Sequence, residues 1–234
     1  MRLDKLLSNM GYGSRKEVKQ LLKMKAVSVD GVIIKDVSLH VDPEKQNVTV
    51  LGERVHYQEF IYLMMNKPAG VISATEDLHD QTVIDLLDPF HAHFEPFPVG
   101  RLDKDTEGFL LITNDGVLAH NLLSPKKHVP KVYYANIDGR VTEEDIEAFN
   151  HGVILDDGYH TKPGKLTILK SGETSEIELM ISEGKFHQVK RMFEAVGKKV
   201  TYLKRLSMGN LQLDENLKLG EYRELSSDEI ENIK

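Results

Sequence analysis

Residues 100–116 read Gly-Arg-Leu-Asp-Lys-Asp-Thr-Glu-Gly-Phe-Leu-Leu-Ile-Thr-Asn-Asp-Gly. The stretch opens on a backbone-permissive glycine, crosses a polar loop rich in carboxylates, and runs into a strand that is apolar throughout, Leu110 to Ile112. Asn114-Asp115-Gly116 then turns the chain into a helix over about Val117 to Leu123, which Ser124-Pro125 stops. Asp103 therefore sits in a loop braced by a rigid element, a favourable place for a reactive group. Residue chemistry alone does not choose among Asp103, Asp105 and Glu107, and carboxylate-rich loops are more often turns than active sites.

Outward from this stretch, strand signals outnumber helix signals. Phe60 to Met65 is a nearly continuous apolar run suited to a buried strand, ended by a turn at Asn66-Lys67-Pro68-Ala69-Gly70. Further strands are predicted over Tyr133–Ile137, Leu166–Leu169, Glu176–Ile181 and Val200–Leu203, and helices over Glu143–Phe149 and Gln188–Val196. A short helix capped by Asp80 is predicted over Thr82–Leu87, and residues 88–98, with three prolines, read as a loop. The regular alternation of a parallel βαβ fold is missing. The fold class is therefore α+β, with a mainly antiparallel mixed sheet flanked by helices.

The first 57 residues read as a separate unit, with the boundary near Gln58 and a second domain over 58–234. Ser14-Arg-Lys-Glu17 has the capping-box pattern, followed by a helix from Arg15 to about Met24. Val18, Leu21 and Leu22 share one face of it, and Lys16, Lys19 and Lys23 another. Asp30-Gly31 between Val27–Val29 and Val32–Ile34 signals a hairpin, and Val48–Val50 adds a strand before a polar connection over residues 52–60. The net charge of −7 counts against a nucleic-acid partner until it is resolved along the chain. Residues 1–25 hold seven basic side chains against Asp4 and Glu17, a net +5, so the remainder carries −12. A lysine-rich helix face is usually just solvated; here it is concentrated on the smallest part of an acidic chain, next to a hairpin.

Composition narrows the chemistry. The absence of Cys excludes disulfides, thiolate zinc sites and a cysteine nucleophile. No run approaches a membrane span, and the N-terminus has no unbroken apolar core of a secretory signal, so a cytoplasmic protein is expected. His91-Ala-His93 has the spacing of a metal pair but lies in the proline-rich segment with no further ligand, so no metal is expected.

The 100–116 stretch resembles the catalytic signature of the RsuA-type pseudouridine synthases: Gly-Arg-Leu-Asp, two residues, Thr, one residue, Gly, an apolar strand, then Thr-Asn-Asp-Gly. Its one departure is Phe109, where Leu is usual. Asn66–Gly70 resembles the turn preceding that segment, Lys131-Val-Tyr133 the Lys-x-Tyr motif, and Ile181–Met192 the third motif. The closing segment Leu203–Ser226 is similar as well, and residues 1–51 resemble the alpha-L RNA-binding module first described in a small-subunit ribosomal protein.

The resemblance implies an isomerase that breaks a glycosidic C–N bond, turns the uracil and rejoins it to ribose through carbon five, with no cofactor or metal. Asp103 would be the catalytic carboxylate, as nucleophile or as base toward the ribose; either role requires it ionised, which a nearby cation favours. Lys190 matches that cation, where more distant relatives have Arg. Tyr133 matches the tyrosine packed against the flipped base, and Arg101 an arginine that assists extrusion. His187 either positions Lys190, touches RNA or is structural. Arg15, Lys16, Lys19 and Lys23 would contact RNA phosphates, and Lys126, Lys127, His128 and Lys131 form a basic run suited to a backbone-contact strip.

The RsuA-like length and the short end Ser227 to Lys234 favour small-subunit rRNA, where the family's usual target is uridine 516 of 16S rRNA; a monomer acting on an assembly intermediate is expected. A large-subunit (23S) enzyme of the same family is the alternative. A non-catalytic ribosome-assembly factor and a two-carboxylate glycoside hydrolase are the readings from other classes.

Overall fold

Asp30 and Gly31 both adopt left-handed backbone conformations (φ 52° and 81°), the geometry that lets an Asp-Gly pair join two strands tightly. They connect β1 (Val27–Val29) to β2 (Val32–Ile33); β3 (Val48–Val50) and β4 (Glu53–Arg54) complete an antiparallel sheet of order β2-β1-β3-β4. In the computed structural model, which describes residues 1–233, two helices share a core with this sheet: α1 (Leu3–Asn9) and α2 (Arg15–Lys23). Ser14 and Glu17 form the expected capping box at the start of α2, the Ser14 N–H donating to Glu17 Oε2 at 2.7 Å. Helix α1 was not foreseen. Its buried Leu3, Leu6 and Leu7 have helical spacing, but Arg2 at its N-cap makes no side-chain cap and so leaves no start signal. β4 lies in the supposed polar connection and is exposed on both faces, which hides its strand character.

The residues group into two compact units: Met1–Ile61 with Asp88–Glu95, and Tyr62–Leu87 with the chain from Pro96 onward. The predicted division at 57/58 falls slightly earlier and does not include the returning segment. That segment carries α3 (Pro89–Ala92), capped by Asp88, which accepts the His91 N–H at 2.8 Å, and it packs Phe94 onto the first unit's core. The loop expected over 88–98 is thus partly helical, because a proline at N1 behind an aspartate is a helix start. Conversely, Thr82–Leu87 is not a helix. The Asp85 carboxylate accepts the Thr82 N–H and hydroxyl at 2.8 and 3.0 Å and closes a turn, while Asp80 pairs with Lys104 at 2.6 Å instead of capping.

The second unit is built on a nine-stranded sheet. Its strands are β5 (Tyr62–Lys67), β6 (Phe97–Pro98), β7 (Glu107–Thr113), β8 (Lys131–Asp138), β9 (Lys165–Lys170), β10 (Thr174–Ile181), β11 (Lys199–Met208), β12 (Leu211–Gln212) and β13 (Tyr222–Glu224). The order is β13-β5-β7-β11-β8-β10-β9, with β12 on β11 and β6 on β7. Every pairing is antiparallel except β7 with β11. Helices α4 (Gly116–Leu123), α5 (Glu143–His151), α6 (Gln188–Ala195) and α7 (Ser227–Glu231) complete it. One core joins α5 and α6 to β8, β10 and β11, with Phe149 and Phe193 edge to face at 4.9 Å. Another seats α4 on β5 and β7 around Phe109, which is fully buried, so the departure from the family pattern is absorbed by packing.

Candidate active site

Pro68 and the carboxylate loop would leave several backbone carbonyls without partners, and one buried lysine takes three of them. Lys67, at the end of β5, has no solvent exposure. Its Nζ donates to the carbonyl oxygens of Pro68 at 2.9 Å, Asp103 at 3.1 Å and Thr106 at 2.9 Å. Burial pushes the Lys67 ammonium down to about 8, against the pull of Asp103, Asp105 and Glu107. Ser73 Oγ donates to the Leu102 carbonyl and accepts the Leu102 N–H, both at 3.0 Å, and the Gly70 N–H donates to the Lys104 carbonyl at 2.7 Å. Residues 101–106 lack regular secondary structure yet are held at four of their backbone positions: Leu102, Asp103, Lys104 and Thr106. The Asn66–Gly70 motif, read as a turn, is the support on which the carboxylate loop rests.

The glycine of the signature has an equally local cause. Gly108 (φ 102°) sits where β7 crosses beside β11 in parallel, in register with Arg205. A Cβ there would overlap the Arg205 carbonyl oxygen, so no other residue fits without moving the strand.

Helix α6 brings the cation. Lys190 Nζ lies 3.0 Å from Asp103 Oδ2 and 2.6 Å from Asp105 Oδ1, bridging the two carboxylates. Burial disfavours its charge, but the bonds to Asp105 and Asp103 outweigh this and hold its pKa above the ordinary lysine value; Lys190 in turn holds Asp105 below the usual carboxylate range. His187, at the N-cap of α6 in a left-handed conformation (φ 49°), places Nε2 3.5 Å from Asp103 Oδ1. The Phe186 ring is stacked on His187 at 3.7 Å and is 74% exposed.

Asp103 and His187 border a cleft of about 60 Å³. Arg101, Asp103, Tyr133 and His187 line it, with Leu102 and Leu203 among its apolar walls. Tyr133 is anchored in β8, where alternation turns it, Ala135 and Ile137 toward the core. Among the described residues its hydroxyl has no hydrogen-bond partner, and the exposed Arg101 guanidinium makes no ion pair. The structure therefore brings Arg101, Asp103 and Tyr133 to one cleft and bonds Lys190 to Asp103.

Arg15, Lys16, Lys19 and Lys23 are in the other unit, all exposed along α2 and in no ion pair among the described residues. Lys126, Lys127 and His128 are exposed as expected, but Lys131 is not part of their strip: it opens β8 and is 8% exposed. Sequence reasoning missed the roles of Lys67 and Asp105 and the exposure of Phe186. A lysine directly ahead of Pro-x-Gly, at the end of an apolar strand, was the one signal for Lys67.

His91 and His93 bond to Asp88 and to the Ser8 carbonyl, and no cluster of metal-ligating side chains occurs among the described residues. No described helix is long and apolar enough to cross a membrane.

The sequence profile of the RNA pseudouridylate synthase family matches residues 61–195, and that of the S4 domain residues 1–47. The chain is 62% identical over 232 residues to the uncharacterized RNA pseudouridine synthase YtzG of Bacillus subtilis (strain 168), spanning 98% of this chain and 97% of that one. It is 40% identical to ribosomal small subunit pseudouridine synthase A of Vibrio cholerae, covering 100% and 99%, and 36% identical to ribosomal large subunit pseudouridine synthase B of Bacillus subtilis, covering 100% and 95%. A crystal structure of a pseudouridylate synthase, 36% identical, superposes over the full length of both chains with a TM-score of 0.70. By profile, full-length similarity and fold, the chain belongs to the RsuA-type pseudouridine synthases and is an isomerase acting on RNA through a catalytic domain preceded by an S4 domain.

Proposed function

We propose that the chain converts one uridine of ribosomal RNA to pseudouridine in the cleft around Asp103, and that this uridine is position 516 of 16S rRNA. The observation that carries the site is the pinned carboxylate, held at its own carbonyl by Lys67 and at Oδ2 by Lys190. In this reading the C1′–N1 bond breaks, the uracil turns, and C1′ bonds to C5; C5 loses its proton and N1 gains one, so nothing is consumed or released. Asp103 acts on the ribose, as nucleophile or as base, with Lys190 bonded to its Oδ2 at 3.0 Å. Tyr133 packs against the extruded uracil, and Arg101 fills the place the base leaves. Arg15, Lys16, Lys19 and Lys23 neutralise phosphates of the same RNA, and a cytoplasmic monomer meeting an assembling small subunit is the form we envisage.

The small-subunit assignment rests on the full-length likeness to the small subunit enzymes, 40% identical in the Vibrio cholerae case. The relative named for the large subunit, 36% identical, is what favours a 23S target as the second reading. Chemical mapping of pseudouridines in rRNA from cells lacking the protein tests both. Loss of a single 16S modification, restored by the wild-type chain, is expected; loss confined to 23S rRNA overturns the target.

A further inference from the structure

Lys131 is buried, and among the described residues no carboxylate pairs with its ammonium; Nζ donates to the Val129 carbonyl at 3.0 Å. Close by is a second cation, Arg205, 2% exposed, whose Nε donates to the Phe109 carbonyl at 2.8 Å and whose Nη2 is buried without a partner among the described residues. Burial, with the Arg205 charge added, pushes Lys131 down to about 8. Neighbouring buried cations with no counter-charge are costly to maintain unless an anion arrives with a ligand.

A place for that anion adjoins Lys131. A hollow of about 270 Å³ is lined by Lys131, Lys162 and Lys185 against the apolar Leu123, Pro125 and Val129. Glu183 also borders it, but its carboxylate already accepts from the Tyr159 hydroxyl at 2.6 Å and from the Lys162 N–H and Gln188 Nε2 at 2.9 Å. Its negative charge faces Lys162 and offsets part of the positive charge of the hollow, while no ion pair joins it to Lys131 among the described residues. Gly184 and Lys185 line both this hollow and the cleft that contains Asp103 and Tyr133. Cationic groups beside an apolar wall, one step from the uridine cleft, match a nucleotide: phosphate on the ammonium groups, base on the wall.

We propose that this hollow is a subsite for the nucleotide adjoining the target uridine, its phosphodiester held by Lys131 and Lys162. The proposal rests on the reading of the Asp103 cleft as the uridine site. It gives the buried lysine a task distinct from the exposed Lys126 and Lys127: fixing the strand's register rather than adding general affinity.

The test uses the full-length chain and a short substrate RNA carrying one uncharged methylphosphonate linkage, placed in turn at each phosphate within two nucleotides of the target. Wild-type kcat/KM is expected to fall about 10- to 100-fold at one linkage only, mostly through KM. Lys131→Met, which keeps the apolar stem, is expected to lose a similar factor on the unmodified RNA and nothing further at that linkage. Lys162→Ala, at a half-buried position, should couple to the same linkage, so the result stands even if Lys131→Met does not fold. Unchanged kcat/KM in both variants, or losses that add to every linkage alike, overturn the subsite. A wild-type chain that forms no pseudouridine overturns the uridine-site reading instead.

Discussion

At the scale of single residues, the cleft divides its tasks between groups that meet the substrate and groups that hold those in place. Lys190 bonds to two carboxylates. Replacing it with Met should leave both without their cation, and kcat is expected to fall about 10²- to 10³-fold, the range found when a preorganised electrostatic partner is removed. Single-turnover kinetics measures this; an unchanged rate constant would separate Lys190 from the chemistry. Phe186 exposes an apolar ring stacked on His187, a geometry suited to stacking on an RNA base. Phe186→Ala is expected to raise KM about 10-fold and Phe186→Tyr to keep it near wild type, as base–aromatic stacking requires. Equal KM values for the two variants would speak for a structural role. Only part of this was legible in the sequence. Asp103, Tyr133 and Lys190 could be singled out because they fall on family motifs; their chemistry alone did not separate Asp103 from Asp105 or Glu107. Lys67 escaped because its one signal, a lysine ahead of Pro-x-Gly, reads as a turn and does not reveal that its ammonium donates to three carbonyls.

At the scale of elements, β5, β7 and β11 decide whether the loop is held. Gly108→Ala forces a methyl into the Arg205 carbonyl at the parallel crossing and should destabilise the protein by roughly 3 kcal/mol, measurable by urea denaturation. A loss near the helix-propensity scale would mean the strands can part there cheaply. Lys67 adds a pH dependence. Its folded value of about 8 lies below its unfolded value of 10.5, so the unfolded chain holds the extra proton between them. The contribution of this lysine to stability therefore rises with pH across that interval. Yet the neutral amine keeps only two of the three donors that hold the Pro68, Asp103 and Thr106 carbonyls. Turnover is expected to fall as pH passes about 8 without a matching fall in Tm. A pH–rate profile beside melting curves checks this, and parallel decline of both would contradict it. Among the longer strands, β5 and β7 were legible because apolar runs mark them and β10 because polar and apolar residues alternate, whereas the two- and three-residue β6, β12 and β13 are too short to carry a pattern. The misses have local causes: α1 lacks a capping side chain, β4 is polar on both faces, and Thr82–Leu87 resembles a capped helix but closes on Asp85.

At the scale of the whole molecule, the formal charge of −7 conceals a basic helix on an acidic chain. Arg15, Lys16, Lys19 and Lys23 are exposed and in no ion pair among the described residues, so they are available to phosphates. Each one replaced by Gln should flatten the log–log salt dependence of RNA binding by about 0.7–0.9. Point substitutions are the right probe, because the first unit includes residues 88–95 and a truncation after residue 57 would strip that segment of its core. Sequence alone could not reveal this return of the chain, which is a matter of tertiary packing. If affinity resides largely in the basic helix and chemistry in the pinned loop, the two can be separated by one side chain. The most direct measurement compares wild type and Asp103→Asn for pseudouridine formed, by HPLC of digested RNA, and for RNA affinity in the same buffer. Wild type should form pseudouridine with no free uracil released, and Asp103→Asn should form none while binding RNA with nearly the same Kd. Pseudouridine from Asp103→Asn, or free uracil from the wild type, would contradict the assignment of the isomerisation to this carboxylate.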